Sequence, residues 1–180
     1  EILVPFAIES SLSGVGRILG ENKNLWYQRS FIIPSKWKGK KILLHFGAVD
    51  WKTEVWVNNI KVGEHTGGFT PFSFDITQAL DGSKNTLVVK VWDPTDKGTQ
   101  PRGKQVSQPR GIWYTPVSGI WQTVWLEPVA DHYITNVRTT PDIDTNGVKV
   151  KVETDNDRVS DKFEVKVFDE GQLVAMGTSI

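Results

Sequence analysis

A period of two in the apolar residues constrains this chain more than any other feature. Residues 86–92 place Leu87, Val89 and Val91 on one face of a strand. The same alternation recurs in residues 41–46, 54–57 and 122–127, between clusters of Pro, Gly, Asn and Asp. Helical patterns are nearly absent, and the best one is a single turn at residues 76–80. This spacing predicts an all-β, antiparallel sandwich.

The segment 47–77 combines strand patterns with a tight turn and an aromatic-rich return. A hairpin is expected at Asn58 and Asn59, because Asn tolerates the left-handed conformation that such a turn requires. Phe69, Phe72 and Phe74 follow, and we expect them to pack within the sandwich. The segment is therefore interpreted as part of the structural framework of the sandwich and not as a sugar-binding surface.

Charge and composition exclude several classes of function. Lys plus Arg and Asp plus Glu both total 21, so the formal net charge is zero and neither nucleic acid nor an anionic membrane surface is an expected partner. No apolar run approaches the roughly 20 residues of a membrane span, and residues 1–10 show no signal-peptide pattern. There is no Cys, and the three His residues lack metal-ligand spacing, so we expect no metal and no cofactor.

The stretch from Asp93 to Thr115 interrupts the strand rhythm with three Pro and three Gly. Unstructured loops beyond about 12–15 residues are uncommon in compact domains and are often functional. This loop is the expected functional segment, with a disordered insertion as the alternative. The eight Trp of the chain fit either carbohydrate stacking or core packing.

After Pro128 the pattern becomes sparse, with short strands expected at 134–139, 148–153, 163–169 and 173–176. Four strands do not close an immunoglobulin-like sandwich of about seven. We expect one sandwich domain at 1–130 and the start of a second, immunoglobulin-like one at 131–180. An unpaired edge in the second would favour self-association.

Two motif matches are rejected. Asp142, Asp144, Asn146, Gly147 and Glu153 fit the EF-hand spacing, but alternating Val residues after Gly147 predict a strand, so a hairpin turn is expected instead. Gly98, Gly103 and Lys104 imitate a phosphate-binding loop, but Gln105 follows where that motif has Ser or Thr.

Five segments stand in a recognisable order along the chain: VPFAIESSLSGV (4–15), LWYQRSFIIP (25–34), residues 42–77, NTLVVKVWD (85–93) and SGIWQTVWLEP (118–128). Together they resemble the amino-terminal, sugar-binding domain of glycoside hydrolase family 2, the β-galactosidases and β-glucuronidases. The resemblance implies a galactose-binding-like jelly roll at 1–130, followed by the beginning of the family's immunoglobulin-like domain.

The resemblance also implies that this chain and the catalytic residues belong to different domains of a larger enzyme. In this family two catalytic glutamates lie on a later TIM barrel, so this chain alone is expected to be inactive. The whole enzyme would hydrolyse a β-galactoside or β-glucuronide with retention of configuration. The barrel and the carbohydrate are the implied partners, and the family's frequent export favours a periplasmic or secreted location. A standalone carbohydrate-binding module and a purely structural spacer are the alternatives.

In long bacterial β-galactosidases an acid shortly before the S-G-I motif reaches the sugar, but residues 109–115 here contain no acid. The substitute candidates for the rim of the substrate pocket come from the loop itself. Asp and Gln would bind sugar hydroxyls, Arg and Lys a uronate or the acids of the barrel, and Trp would stack on a sugar ring. Stabilisation of the loop or an interdomain contact is the alternative for each. The candidates are Asp93, Asp96, Arg102, Lys104, Gln105 and Trp113.

Overall fold

The computed structural model describes residues 1–82, 84–156 and 161–179. In these ranges the regular structure consists of strands and of three 3₁₀ turns, at Ser11–Ser13, Ser35–Trp37 and Thr77–Ala79. The described residues include no helix with the length and apolar character of a membrane span. The chain divides into two compact units, Glu1–Pro128 and Val129–Ile180.

The first unit is an antiparallel β-sandwich, as the alternation predicts. The strands are β1 Asn24–Ile32, β2 Lys41–Phe46, β3 Val49–Asp50, β4 Lys52–Val57, β5 Ile60–Thr66, β6 Phe72–Asp75, β7 Lys84–Trp92, β8 Gly119–Ile120 and β9 Val124–Val129. A four-stranded sheet has the order β1-β7-β4-β5, a three-stranded sheet has the order β6-β2-β9, and β3 pairs with β8.

The core lies between the two larger sheets and follows the period of two. Val55 of β4 and Val89 and Val91 of β7 are buried on one side, and Ile42 and Phe46 of β2 are buried with them. Each buried aliphatic or aromatic side chain stabilises the fold by about 1.5–3 kcal/mol. The alternate residues of β4 and β7 face away from this core, so the four-stranded sheet has a distinct outer face.

The predicted hairpin at Asn58 and Asn59 is confirmed. Both residues have positive φ, 48° and 66°, the conformation of a type I′ turn between β4 and β5. The Asn58 side chain donates to the Ala79 carbonyl and to Asn85 Oδ1, and it accepts from the Thr86 amide. The turn is thereby joined to both the 3₁₀ turn and β7.

The three Phe residues of this region differ in their packing. Phe72 and Phe74 are partly buried against the core, as expected. The expectation for Phe69 is wrong, because its side chain is 52% exposed and meets Trp121 edge-on. Phe69 follows the Gly67–Gly68 bend between β5 and β6, where no strand periodicity turns it inward.

The second unit contains two antiparallel hairpins, at the four places predicted for strands. They pair β10 Ile134–Asp142 with β11 Gly147–Thr154, and β12 Phe163–Asp169 with β13 Gln172–Ser179. The pattern that imitates an EF-hand is the turn of the first hairpin, where Asp142 Oδ1 accepts from the amides of Asp144 and Thr145. The prediction of a hairpin there is confirmed.

Candidate functional site

The predicted loop connects β7 to β8 through residues 93–118, all of which are described. It contains no regular strand, only an isolated parallel bridge between Gln105 and Tyr114. The loop has two parts: a buried base, where acidic side chains hold its ends, and an exposed surface of aromatic and cationic side chains.

Asp93 lies in the buried base, where it ends the inner face of β7 and is only 2% exposed. Its Oδ2 accepts from the Ser118 hydroxyl at 2.6 Å, and its Oδ1 accepts from the Thr95 amide at 2.7 Å. The Ser118 amide donates to Glu9 at 2.9 Å. Ser118 therefore joins the two ends of the loop to the amino-terminal segment.

Asp50, at the end of β3, is the third acid of the buried base and is 4% exposed. Gln105 donates to Asp50 Oδ2 at 3.3 Å, and the side-chain oxygen of Gln105 accepts from the Val117 amide. The Asp50–Trp51 peptide bond is cis. A Cβ at Gly68 would lie 2.5 Å from Asp50 Oδ1, so the carboxylate fits only beside a glycine.

Burial dominates the electrostatics of this base. It raises the pKa of Asp50 to about 7, with the nearby Asp93 and Glu9 charges adding to the rise and the Gln105 hydrogen bond opposing it. Burial also raises the pKa of Asp93 and of Glu9, against the hydrogen bonds from Ser118. The described residues contain no group of three or more side chains arranged to hold a metal ion. The pKa of about 7 places the titration of the Asp50 carboxyl near neutral pH.

The loop ends at the S-G-I segment, residues 118–120, where the backbone conformation of Gly119 allows close contact with Tyr27. Gly119 has a φ of 83°, and a Cβ there would lie 2.1 Å from the Tyr27 hydroxyl. That hydroxyl accepts from the Ile120 amide at 3.1 Å. Burial raises the pKa of Tyr27 to about 12, so it stays a neutral partner. Asp50 of β3 pairs with Gly119 of β8 in the antiparallel register, and this pairing places the Asp50 carboxyl at the end of the loop.

The exposed part of the loop is a ridge formed by Arg102, Lys104, Ile112, Trp113 and Tyr114. The Arg102 guanidinium lies 5.9 Å from the Trp113 ring centre, and the Lys104 ammonium lies 5.6 Å from that of Tyr114. Backbone hydrogen bonds from Tyr114 to Lys104 and from Val106 to Tyr114 align the two segments. Trp113 is 39% and Tyr114 is 62% exposed, so the rings are accessible.

The six predicted residues separate into the ridge and the loop interior. Arg102, Lys104 and Trp113 lie together on the ridge. Asp96 is turned toward its own loop, where it accepts from the Ser107 hydroxyl at 2.6 Å and from the Ser107 amide at 3.2 Å. Those hydrogen bonds lower its pKa, so the carboxylate is ionised. Asp93 and Gln105 belong to the buried base.

Sequence reasoning did not single out Glu9, Asp50 or Tyr114. Glu9 meets Ser118 across 109 residues, and no sequence pattern marks that contact. Asp50 lies within a strand pattern, and an acidic residue in such a pattern is ordinarily predicted to face solvent. Tyr114 could have been predicted from the sequence, because it follows Trp113 directly and the same loop contains the cations Arg102 and Lys104.

Comparison with known proteins relates the whole first unit to carbohydrate enzymes. The sequence model of the family described as "Glycosyl hydrolases family 2, sugar binding domain" matches residues 11–128. A β-galactosidase of Thermoanaerobacter pseudethanolicus is 37% identical over 114 residues, covering 62% of this chain and 14% of that protein. A β-glucuronidase of Sus scrofa is 27% identical over 194 residues, covering 94% of this chain and 29% of that protein.

Solved structures agree with the sequence comparisons. A β-glucuronidase from Ruminococcus gnavus, in complex with a C6-substituted uronic isofagomine, superimposes with a TM-score of 0.75 at 25% identity, covering 98% of this chain and 32% of that one. A Lactobacillus rhamnosus β-glucuronidase gives a TM-score of 0.75 at 28% identity, covering 98% and 31%. The chain thus spans less than a third of these relatives. Its fold and its matched residues show that the chain belongs to the sugar-binding domain of the family 2 glycosyl hydrolases.

Proposed function

We propose that the chain is the non-catalytic sandwich of a retaining family 2 glycosidase, and that its ridge forms part of the substrate-pocket rim. Catalysis would reside in a TIM barrel of the same polypeptide. The ridge carries this proposal: two exposed aromatic rings, each beside a cation, project from a loop whose ends are held by buried hydrogen bonds. A rigidly held loop can position groups for a ligand at low entropic cost.

The charge of the ridge favours a uronate over a neutral sugar. Arg102 and Lys104 supply the positive charge, and Asp96, the acid of the loop outside the buried base, is already hydrogen-bonded to Ser107. Arg binds carboxylates in a planar, two-point geometry. Several relatives are named β-glucuronidases, which is consistent with a glucuronide substrate for the parent enzyme. Ile112 and Tyr114 would supply the apolar contact with the barrel.

The test uses the complete parent polypeptide with Arg102→Gln, assayed on a β-glucuronide and a β-galactoside. We expect kcat/KM for the glucuronide to fall at least tenfold, mainly through KM, because a charge-assisted hydrogen bond contributes about 1.5–3 kcal/mol. Galactoside turnover should change less than twofold. Equal losses on both substrates would assign Arg102 to an interdomain contact, and no loss would refute a role at the rim.

Trp113→Ala in the same enzyme tests the stacking role. It should raise KM for the preferred substrate, and Trp125→Ala provides the matched control. Trp125 is 44% exposed on β9, outside the ridge and the buried base. A KM unchanged by Trp113→Ala would reject stacking by that ring.

A further inference from the structure

The outer face of the four-stranded sheet carries three tryptophans, Trp26 on β1, Trp56 on β4 and Trp92 on β7. Trp26 is 58% and Trp92 is 37% exposed, and Trp56 is partly exposed. The solvent face of an antiparallel sheet is ordinarily polar. Large exposed apolar patches on a folded domain are typical of interaction sites.

The three tryptophans lie on three strands of this sheet, with Trp26 and Trp56 on the two strands that flank β7. Trp26 and Trp56 stack with ring centroids 5.9 Å apart and planes inclined by 25°. Trp92 is two residues from Lys90, which pairs in register with Trp26. The Trp92 indole nitrogen donates to the Glu21 carbonyl at 2.7 Å, which orients that ring. These three side chains on one face are called the aromatic platform; within it Trp26 and Trp56 are in ring contact, and the hydrogen bond to Glu21 orients Trp92.

Charged groups lie among the rings. Glu54 accepts from Lys90 at 2.7 Å and from Lys61 at 3.0 Å, and these hydrogen bonds lower the pKa of Glu54 to about 2. The Lys90 and Lys61 ammonium groups lie 5.8 Å and 5.9 Å from the centres of the Trp26 and Trp56 rings. A shallow groove of about 310 Å³ is lined by Asn24, Lys52, Glu54, Lys90 and Trp92.

Beside the rings, this face carries three cations and two anions. Lys52, Lys61 and Lys90 project there beside Glu54 and Glu64, and Lys84 lies farther along β7. A residual positive charge beside aromatic rings suits an anionic ligand that also has an apolar surface. Inorganic phosphate has the charge but no apolar face to stack on the rings. An apolar peptide would cover the solvent-accessible ion pairs of this face and remove them from water.

We propose that the platform formed by Trp26, Trp56 and Trp92, with Glu54 and Lys90, binds an oligosaccharide that bears a uronic acid. The C–H face of a pyranose ring is weakly positive and packs on the negative face of an indole. Glu54 accepts hydrogen bonds from hydroxyls, and Lys52 or Lys90 pairs with the carboxylate. The platform would hold a glycan chain independently of the ridge, so the proposal does not depend on the role of the loop.

The experiment titrates the 180-residue chain with xylohexaose, galactohexaose and their glucuronate-bearing counterparts, followed by tryptophan fluorescence and calorimetry. We expect saturable binding of the acidic oligosaccharides and severalfold weaker binding of the neutral ones. Trp26→Ala should weaken binding at least tenfold, and Lys90→Gln should remove most of the preference for the acidic glycans. Both side chains are exposed or partly exposed, so circular dichroism should show intact folding.

A control variant separates this site from others. Trp125→Ala removes a tryptophan of similar exposure from a different sheet and should leave binding unchanged. The rim proposal is tested by the kinetics of the parent enzyme and this one by binding that Trp26→Ala weakens, so failure of the one and failure of the other are distinguishable. The proposal is overturned if none of the four glycans binds, or if Trp125→Ala weakens binding as much as Trp26→Ala. It is also overturned if sedimentation shows a dimer that Trp26→Ala dissociates, because the face would then be an interface between copies.

Discussion

Gly119 shows how one residue determines where the loop ends. Its φ of 83° lies in the left-handed region, and the Tyr27 hydroxyl occupies the space that a Cβ would need. The same hydroxyl receives the Ile120 amide, so the close approach and the hydrogen bond depend on each other. Gly111, earlier in the loop, also has positive φ, but a Cβ added there would have no neighbouring atom within 4 Å.

These two glycines give a matched pair of substitutions. Gly111→Ala should cost about 1–2 kcal/mol, the strain of a left-handed L-residue. Gly119→Ala should cost at least 1 kcal/mol more, because the methyl group must displace Tyr27. Urea unfolding of both variants measures the difference. Equal costs would mean that Tyr27 moves freely, contrary to its buried position.

The buried acids predict a dependence of stability on pH. The pKa of Asp50 is about 7 in the folded protein and near 3.8 when unfolded, so the folded state binds the proton more tightly. The free energy of unfolding should therefore be highest at low pH within this window and fall as the pH rises from about 4 to about 7. Raised pKa values of Asp93 and Glu9 act in the same direction.

Asp50→Asn tests this directly, since Asn resembles the protonated acid. At pH 8 the variant should be more stable than the parent chain by on the order of 2 kcal/mol, with a flatter profile between pH 4 and pH 8. Asp144→Asn, at an exposed turn, serves as the control. Thermal melts across that range suffice, and a profile for Asp50→Asn as steep as that of the parent would contradict the assignment.

At the scale of elements, the β4–β5 hairpin depends on two asparagines that have the same backbone conformation but different side-chain surroundings. Asn58 and Asn59 both have positive φ. Only Asn58 reaches the Ala79 carbonyl, Asn85 and the Thr86 amide. The turn is therefore both a local conformation and a junction between distant parts of the sandwich.

Glycine substitutions separate these two roles, because Gly adopts positive φ without strain. Asn59→Gly should change the free energy of unfolding by less than about 0.5 kcal/mol. Asn58→Gly should cost about 2–3 kcal/mol, since three hydrogen bonds are lost and partly buried partners are left unsatisfied. Chemical denaturation measures both. Similar effects of the two variants would show that the Asn58 network contributes nothing to stability.

At the scale of the molecule, the two units differ in what holds each of them together. The first has a contiguous core that includes Phe46, Val55, Val57 and Val91. The second has two separate two-stranded hairpins, and β10 is exposed along its whole length. A two-stranded hairpin by itself is marginally stable in water. The self-association predicted from an exposed edge in this unit stays a prediction, which sedimentation can test.

Native-state hydrogen exchange of the 180-residue chain should reveal this difference. Amides of β4 and β7 should exchange only through global unfolding, and amides of β10 to β13 should exchange through opening that costs much less. The expected difference in protection is at least a hundredfold. Equal protection in both units would show that the second is stabilised as strongly as the first.

Alternation, turn chemistry and motif order are local properties of the chain, so the strands, the Asn58–Asn59 turn, the long loop and the family could be predicted from the amino acids alone. The contacts between distant residues became visible only in the folded protein. Glu9 reaches Ser118, Asp50 reaches Gln105, and three tryptophans from β1, β4 and β7 share one face. The physical reason is that a period of two assigns each side chain to a face, whereas the order of strands depends on closing loops over tens of residues.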